Sequence, residues 1–329
     1  PRSIDFVTAR DGVFAEVLQE TLLATYRRGD AVTDVAIHEI APLDEHNLLV
    51  QGAAVASLPA DPSTPWILPR GRTDAALAAT LGRMPHRLAD WGYEVSTGPL
   101  VWNRYKAQLC LRRARNRYPV VWAESVSAGG QFTWSAKKRD HLPYFEIRSG
   151  DEWMMVVDPC VLLQRTTAKE QHRRLIGAEL PAAFIAEHGA VVVENHLNMV
   201  RPIHGAPAVP AGVLAVFLNS VAADRAFRCV SGSVAVSAYE LESLPLPNPD
   251  ELGRLGRLVA SSAARSAIEG ECARLYGEGA LSAQSSGAVA QRERQQGRRS
   301  RRESRCIDRL GDRSGPRPSR RDLGRLGSR

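Results

Sequence analysis

The chain has 329 residues, 44% of them hydrophobic, which is long enough for two domains and apolar enough for a sizeable core. No run approaches the ~18 apolar residues of a transmembrane helix, the opening PRSIDFVTARDG lacks the layout of a signal peptide, and five scattered cysteines without a CxxC pair fit neither a disulfide scaffold nor a zinc site; a cytoplasmic protein with free thiols and no membrane contact is expected. The net charge of +7 is uneven, because residues 283–329 hold 14 arginines, no lysine and five acids, leaving residues 1–282 near −2, so any nucleic-acid affinity of the body must come from local patches.

Near the start, Val13, Phe14, Val17, Leu18, Leu22 and Tyr26 recur at three- and four-residue steps and predict an amphipathic helix. Residues 32–40, with Val35 and Ile37 on one face, and 47–52 predict strands separated by the turn residues PLDEHN. One helix and two strands cannot close a core of their own, so the chain is expected to start inside an α/β domain, with exposed apolar surface on Val13–Tyr26 and poor solubility. Pro59, Pro62, Pro65 and Pro69 exclude a helix or an interior strand and predict a linker over 57–70. Residues 74–91 predict a helix with a break before Pro85, and a turn at Gly92 leads into a strand ending at Gly98.

Trp102, Asn103, Arg104, Tyr105 and Lys106 then interleave aromatic and cationic groups as nucleic-acid surfaces do, although core is the commoner fate of isolated aromatics. A strand over 119–127, a tight turn at Gly129 and Gly130 and a second strand over 131–134 precede the cluster Lys137, Lys138 and Arg139. Short apolar runs at 153–157, 161–163 and 190–193, rich in Val and bounded by turn residues, predict strands. Between them RTTAKEQHRR gathers Arg165, Lys169, Arg173 and Arg174, and ENHLN gathers Asn195, His196 and Asn198, amide and imidazole groups able to read base edges. Loops near 104, 138 and 170 thus present cations from a largely β scaffold. If they share a face they form a groove for an anion; a charge run is as readily a solvated face.

Residues 211–227 predict a helix burying Val213, Val216, Phe217, Val221 and Phe227, and Leu244-Pro245-Leu246-Pro247 reads as a second linker-like stop. Residues 252–276 return to helical spacing, with Leu255, Leu258 and Val259 on one stripe and Ile268 and Leu275 later. The tail from 283 has almost no apolar periodicity and is expected to be disordered. Its Arg-Gly-Ser-Pro bias is that of out-of-frame translation of a GC-rich gene; a nucleic-acid-binding arm and a solubilising extension are the alternatives.

The phrases DGVFAEVLQETLLATYRR, WGYEVSTGPLVWNRYK, LLQRTTAKEQHRRLIGAEL, VVVENHLNMVRP and LAVFLNSVAADRAFRCVSGSVAVSAYELESLPLP stand in order over residues 3–276. In that order they resemble the adenine-specific DNA methyltransferases of type II restriction–modification systems: the first looks like the late catalytic-domain helix, the second like the entry into the target recognition domain, and the others like successive pieces of that domain. The resemblance implies an α/β chain: the tail end of a class I (Rossmann-like) AdoMet-dependent methyltransferase domain over 1–56, a linker and helix over 57–84, an α+β target recognition domain over 85–250, a C-terminal helix over 251–282 and the disordered Arg-rich tail.

Members of that family bind double-stranded DNA, flip the target adenine out and transfer a methyl group from S-adenosyl-L-methionine to its exocyclic amine, which is inaccessible within the stack. A glycine-bearing loop holds AdoMet and an Asn-Pro-Pro-Tyr turn holds the adenine. Neither motif occurs here: there is no Pro-Pro dipeptide, Asn248-Pro249 is followed by Asp250, and no Gly-rich loop follows a strand and opens a helix. The chain is therefore expected to be the C-terminal part of such an enzyme, inactive alone, with AdoMet bound by the missing part and with duplex DNA and the missing catalytic half or a cognate restriction endonuclease system as partners.

On this reading Arg104, Lys106, Lys137, Lys138, Arg165, Lys169, Arg173 and Arg174 are candidate phosphate or guanine contacts, and Asn195 and Asn198 candidate adenine readers. Against the asparagines stands a turn or capping role, and Thr167 with Glu170 fits a capping box. A non-catalytic DNA-specificity or interaction module working with a separate catalytic subunit is the competing function. A metal nuclease would need an Asp…Glu-x-Lys pattern that the four lysines do not form, and the eight histidines show no HExxH or paired ligand spacing. His38, His46 and His86 read as surface or turn residues.

Overall fold

A computed structural model describes residues 1–7, 21–29, 33–44, 46–61, 63–166, 173–203, 205–233 and 235–278. The tail and the greater part of the first expected helix lie outside them. Strand β1 (Ser3–Val7) buries Ile4 and Phe6 in strict alternation. Strand β2 (Thr21–Thr25) pairs antiparallel with it, from Ser3 opposite Thr25 to Val7 opposite Thr21. This corrects the helix expected through Tyr26: Leu22 and Leu23 are exposed and Tyr26 is 66% exposed. The reason is that β1 offers unpaired backbone groups at its edge, and a ladder satisfies them whatever the local apolar spacing.

Strand β3 (Asp34–Pro42) runs parallel to β1 and buries the expected Val35 and Ile37; β4 (Leu48–Ser57) folds back antiparallel through the turn held by Asp44, giving the order β2-β1-β3-β4. The proline-rich stretch after β4 has no helix or strand, as its prolines require, yet it is not a free linker. Leu68 enters the core beneath this sheet with Trp66 packed against it, while its N–H donates to the Cys229 carbonyl at 2.8 Å and Arg70 Nε donates to the Arg228 carbonyl at 2.6 Å.

Helix α1 (Ala75–Leu81) is shorter than expected, and a separate 3-10 turn (Ala89–Trp91) closes at Gly92, whose φ of +86° permits the reversal into β5 (Tyr93–Thr97). Short strands β6 (Leu109–Cys110), β7 (Arg117–Val121), β8 (Tyr144–Glu146) and β9 (Met155–Val156) follow. The strand expected over 131–134 reduces to one bridge between Val126 and Phe132, and part of 153–157 is 3-10. Next come β10 (Cys160–Gln164), β11 (Gly177–Leu180), α2 (Ala182–His188), β12 (Val191–Val193) and β13 (Leu197–Pro202). They assemble into a four-stranded antiparallel sheet, β11-β10-β13-β5, and a five-stranded sheet, β6-β8-β7-β12-β9, in which only β7 and β12 are parallel.

The two sheets share a core in which Leu162, Ala178 and Met199 cluster with Val121, Val191 and Val193. The opposite residues of the same strands, Val161, Leu163 and Val200, enter a second core with the helices. Strand β10 is therefore covered on both faces, which is why its sequence is a continuous apolar run rather than an alternation.

The expected helix over 211–227 is two, α3 (Ala211–Leu218) and α4 (Val221–Val230), because Ser220 caps the second by accepting the Ala223 N–H at 3.1 Å. Val221 then opens α4 in an exposed position, while Phe217 and Phe227 are buried as expected. Helix α5 (Ala238–Glu242) starts on a capping box of Ser237 and Glu240. The Leu-Pro-Leu-Pro run after it is core: Leu244 and Leu246 are buried, Trp91 Nε1 donates to the Pro247 carbonyl and Tyr276 Oη to that of Pro245. The last helical stretch divides into α6 (Gly253–Ala260) and α7 (Arg265–Leu275), with Ser262 at φ +50° between them. Leu77 and Leu81 of α1 share one core with Leu246, Leu255 and Cys272, so the boundaries drawn at 84/85 and 250/251 cross a single core, and residues 1–280 form one compact unit. Burial pushes the thiols of Cys160, Cys229 and Cys272 up to about 12. Among the described residues no helix is long and apolar enough to cross a membrane.

Candidate nucleic-acid interface

The parallel strands β7 and β12 end side by side, and their carboxyl ends make a junction to which the cationic loops are tied. Glu194, next after β12, donates its N–H to the Val121 carbonyl at 3.1 Å. Leu100 N–H donates to Val193 O at 3.1 Å and Asn195 N–H to Leu100 O at 3.0 Å, which lays the segment after β5 along the same turn. Glycine is required at 98, because a Cβ there would stand 2.3 Å from the Glu194 carbonyl oxygen.

From Gly98 the chain enters a 3-10 turn (Trp102–Arg104) that leaves Arg104 and Lys106 exposed. Trp102 meets Trp122 edge-on with ring centroids 6.3 Å apart, and Tyr105 meets Phe145 at 5.9 Å, so both aromatics are partly buried packing residues. Lys106 Nζ lies 5.2 Å from the Trp102 ring centroid, within cation–π range.

The second loop hangs on the turn that follows β7. Trp122 stacks on His141 with centroids 3.8 Å apart. Glu124 accepts the Lys137 N–H at 2.9 Å and the Lys138 N–H at 3.4 Å and faces His141 Nδ1 at 2.9 Å. Burial pushes the Glu124 carboxyl up, but these N–H groups and the imidazole outweigh it and hold the group below the ordinary glutamate value. The side chains of Lys137, Lys138 and Arg139 remain exposed.

The third loop begins at the end of β10. Gln164 Nε2 donates to the carbonyls of Ala123 and Val126, at 3.2 and 2.8 Å, and the half-buried Arg165 donates from Nη1 to Asn195 O at 2.8 Å. The loops near 104, 138 and 165 are thus anchored to residues 121–126 and 193–196, the second through the Glu124 carboxylate and the other two through backbone carbonyls.

Not every candidate joins them. Lys169, Thr167 and Glu170 lie outside the described residues. Arg173 donates to the carbonyls of Ala128 and Asn219. Arg174, read as a phosphate contact, is 2% exposed, with its backbone N–H on Asp224; Asn198, read as an adenine reader, is 0% exposed and donates from Nδ2 to Val236 O at 2.8 Å. These two expectations are corrected. Composition marks a polar residue, but the central position of β13 and the packing of α4 against the Arg174 backbone turn both inward. Asn195 sits half-buried at the turn between β12 and β13, and among the described residues no hydrogen bond engages its side-chain amide.

Glu194 escapes the reading of loops by charge and amide content. It is 1% exposed, and its two oxygens face the backbone N–H of His196 at 3.0 Å and His196 Nδ1 at 2.7 Å. The signal present in the sequence is an acid two residues before a histidine at a strand end.

No protein-family model matches the chain. It is similar to the type II methyltransferase M.PstI of Providencia stuartii, 30% identical over 187 residues, which is 56% of this chain and 36% of that protein. It is also similar to the type II methyltransferase M.BsuBI of Bacillus subtilis, 26% identical over 259 residues, 76% of this chain and 50% of that protein. The chain spans about a third to a half of the length of these curated relatives. Over the part that aligns, the chain is thus similar to two type II methyltransferases.

Proposed function

We propose that the chain contributes duplex DNA recognition to a site-specific DNA adenine methyltransferase of a restriction–modification system. The observation that carries this reading is the anchoring of three cationic loops to one junction of a rigid β scaffold, in a body whose overall charge is near neutral. Arg104, Lys106, Lys137 and Lys138 are the exposed cations suited to phosphates; Asn195 is the half-buried amide at the turn suited to a base edge. Recognition of this kind supplies the contacts that offset the cost of extruding an adenine, about a few kcal/mol.

The described residues do not fit AdoMet. Among the described residues of the first sheet, β4 runs into the proline strap, β3 into the Asp44 turn and β2 into a turn at Gly29 that precedes another strand. None of these is a glycine-bearing turn opening a helix, the cradle that a nucleoside cofactor requires. The role of this chain is to bind and orient DNA.

The test is equilibrium binding of the full chain to a randomised duplex pool at two salt concentrations, followed by sequencing of the retained fraction. Enrichment of a short site containing adenine is expected; an intact fold by circular dichroism with no enrichment would overturn the reading. Lys106→Ala should weaken binding to every sequence alike and reduce the slope of log affinity against log salt by about 1.

A further inference from the structure

The buried Glu194 and the exposed His196 form a pair at the turn between β12 and β13. A carboxyl group 1% exposed sits at a surface turn, and both of its side-chain hydrogen bonds go to His196. A turn does not need such an arrangement, since the short side chain of Asn or Asp satisfies a turn N–H without burying a longer acid. What the pair does achieve is to fix an imidazole. With both carboxylate oxygens accepting, the proton of the neutral imidazole lies on His196 Nδ1, and in that form the opposite ring nitrogen, Nε2, carries a lone pair. The His196 side chain is 54% exposed, and among the described residues no contact engages Nε2.

The turn that carries it is held from three directions. Arg165 Nη1 grips Asn195 O, Arg165 N–H donates to His196 O at 2.8 Å, and Gly98 lies against the Glu194 carbonyl. A fixed, outward-facing acceptor is what reading an exocyclic amine requires. In the major groove such amines are adenine N6 and cytosine N4, whereas guanine and thymine present acceptors in the corresponding places.

Resting on the recognition role proposed above, we infer that His196, positioned by Glu194, is a specificity-determining residue that accepts a hydrogen bond from the exocyclic amine of an adenine or cytosine in the target site. The test compares the full chain with His196→Ala in the randomised-duplex selection, with competition titrations on the selected site and its single-base variants. The expected result is a site in which one adenine or cytosine preference flattens by roughly tenfold in His196→Ala while the other positions keep theirs; which base is lost tells adenine from cytosine. An unchanged site in the variant, or an equal loss on every sequence as a phosphate contact would give, overturns the inference while leaving recognition intact. Failure of the unsubstituted chain to select any site overturns the recognition role first. His196 is exposed, so its removal leaves the core untouched. Glu194→Gln is the second variant: a positioning role predicts the same single base pair weakened with the melting profile retained, and a change elsewhere in the site counts against it.

Discussion

Glu124 shows how a single carboxylate organises a cationic loop. It holds two backbone N–H groups and an imidazole, so replacement with glutamine removes the charge that three donors share. Glu124→Gln should destabilise the loop around Lys137 by about 1–3 kcal/mol, read as faster tryptic cleavage after Lys137, Lys138 or Arg139. The pH dependence has a definite sign. Because the folded-state value is depressed, the contribution is fully present above the ordinary glutamate range and disappears as pH falls through the depressed value. Protection of the loop should therefore fall on acidification below about pH 4.5 in the parent, and the Gln variant should lack that step; an identical acid profile in both would refute the assignment.

At the scale of elements, Asp224 ties helix α4 to the chain entering β11. Its Oδ1 accepts the N–H groups of both Arg174 and Leu175, the latter at 2.8 Å, and its Oδ2 accepts from Arg228 Nε at 2.9 Å. Removing the acceptor strands two buried donors. Asp224→Ala should cost roughly 2–5 kcal/mol, seen as a lower urea midpoint, whereas Asp224→Asn, which keeps one carbonyl acceptor, should recover part of the loss. Equal midpoints for the two variants would mean that charge alone, not backbone satisfaction, is what Asp224 supplies. The same residue bears on why Arg174 could not be placed from sequence: a basic run shows which residues are charged, but a long-range contact, here the Asp224 carboxylate on the Arg174 backbone, fixes which part of the run is packed against the body.

At the scale of the whole molecule, the first sheet carries exposed apolar side chains at Leu22 and Leu23 on β2 and at Leu48, Val50 and Val55 on β4. Both strands are edges of their sheet, and apolar edge strands template association. The chain by itself should self-associate in a concentration-dependent way. Leu48→Lys combined with Val50→Lys should shift light scattering toward the monomer, and a parent that stays monomeric at high concentration would contradict this. The cause differs from the sequence expectation, which placed the exposed apolar surface on a helix ending at Tyr26; the described part of that stretch is a strand.

Local chemistry was enough to read the short Val-rich strands β10 and β12, the left-handed turn at Gly92, the end of β5 at Gly98 and the cation-bearing loops. Each depends on neighbours in the chain: apolar runs bounded by turn residues, a missing Cβ, or charges clustered between strands. Tertiary structure alone decided the rest. The proline strap and the Leu-Pro-Leu-Pro run look like linkers because proline forbids regular structure, yet burial of Leu68, Leu244 and Leu246 needs no backbone ladder, only a complementary apolar surface brought from far along the chain. Likewise, Asn198 turned inward and His196 outward because β13 is covered on both faces while the turn before it is not, and that difference is set by the sheets stacked around the strand rather than by the strand's own residues.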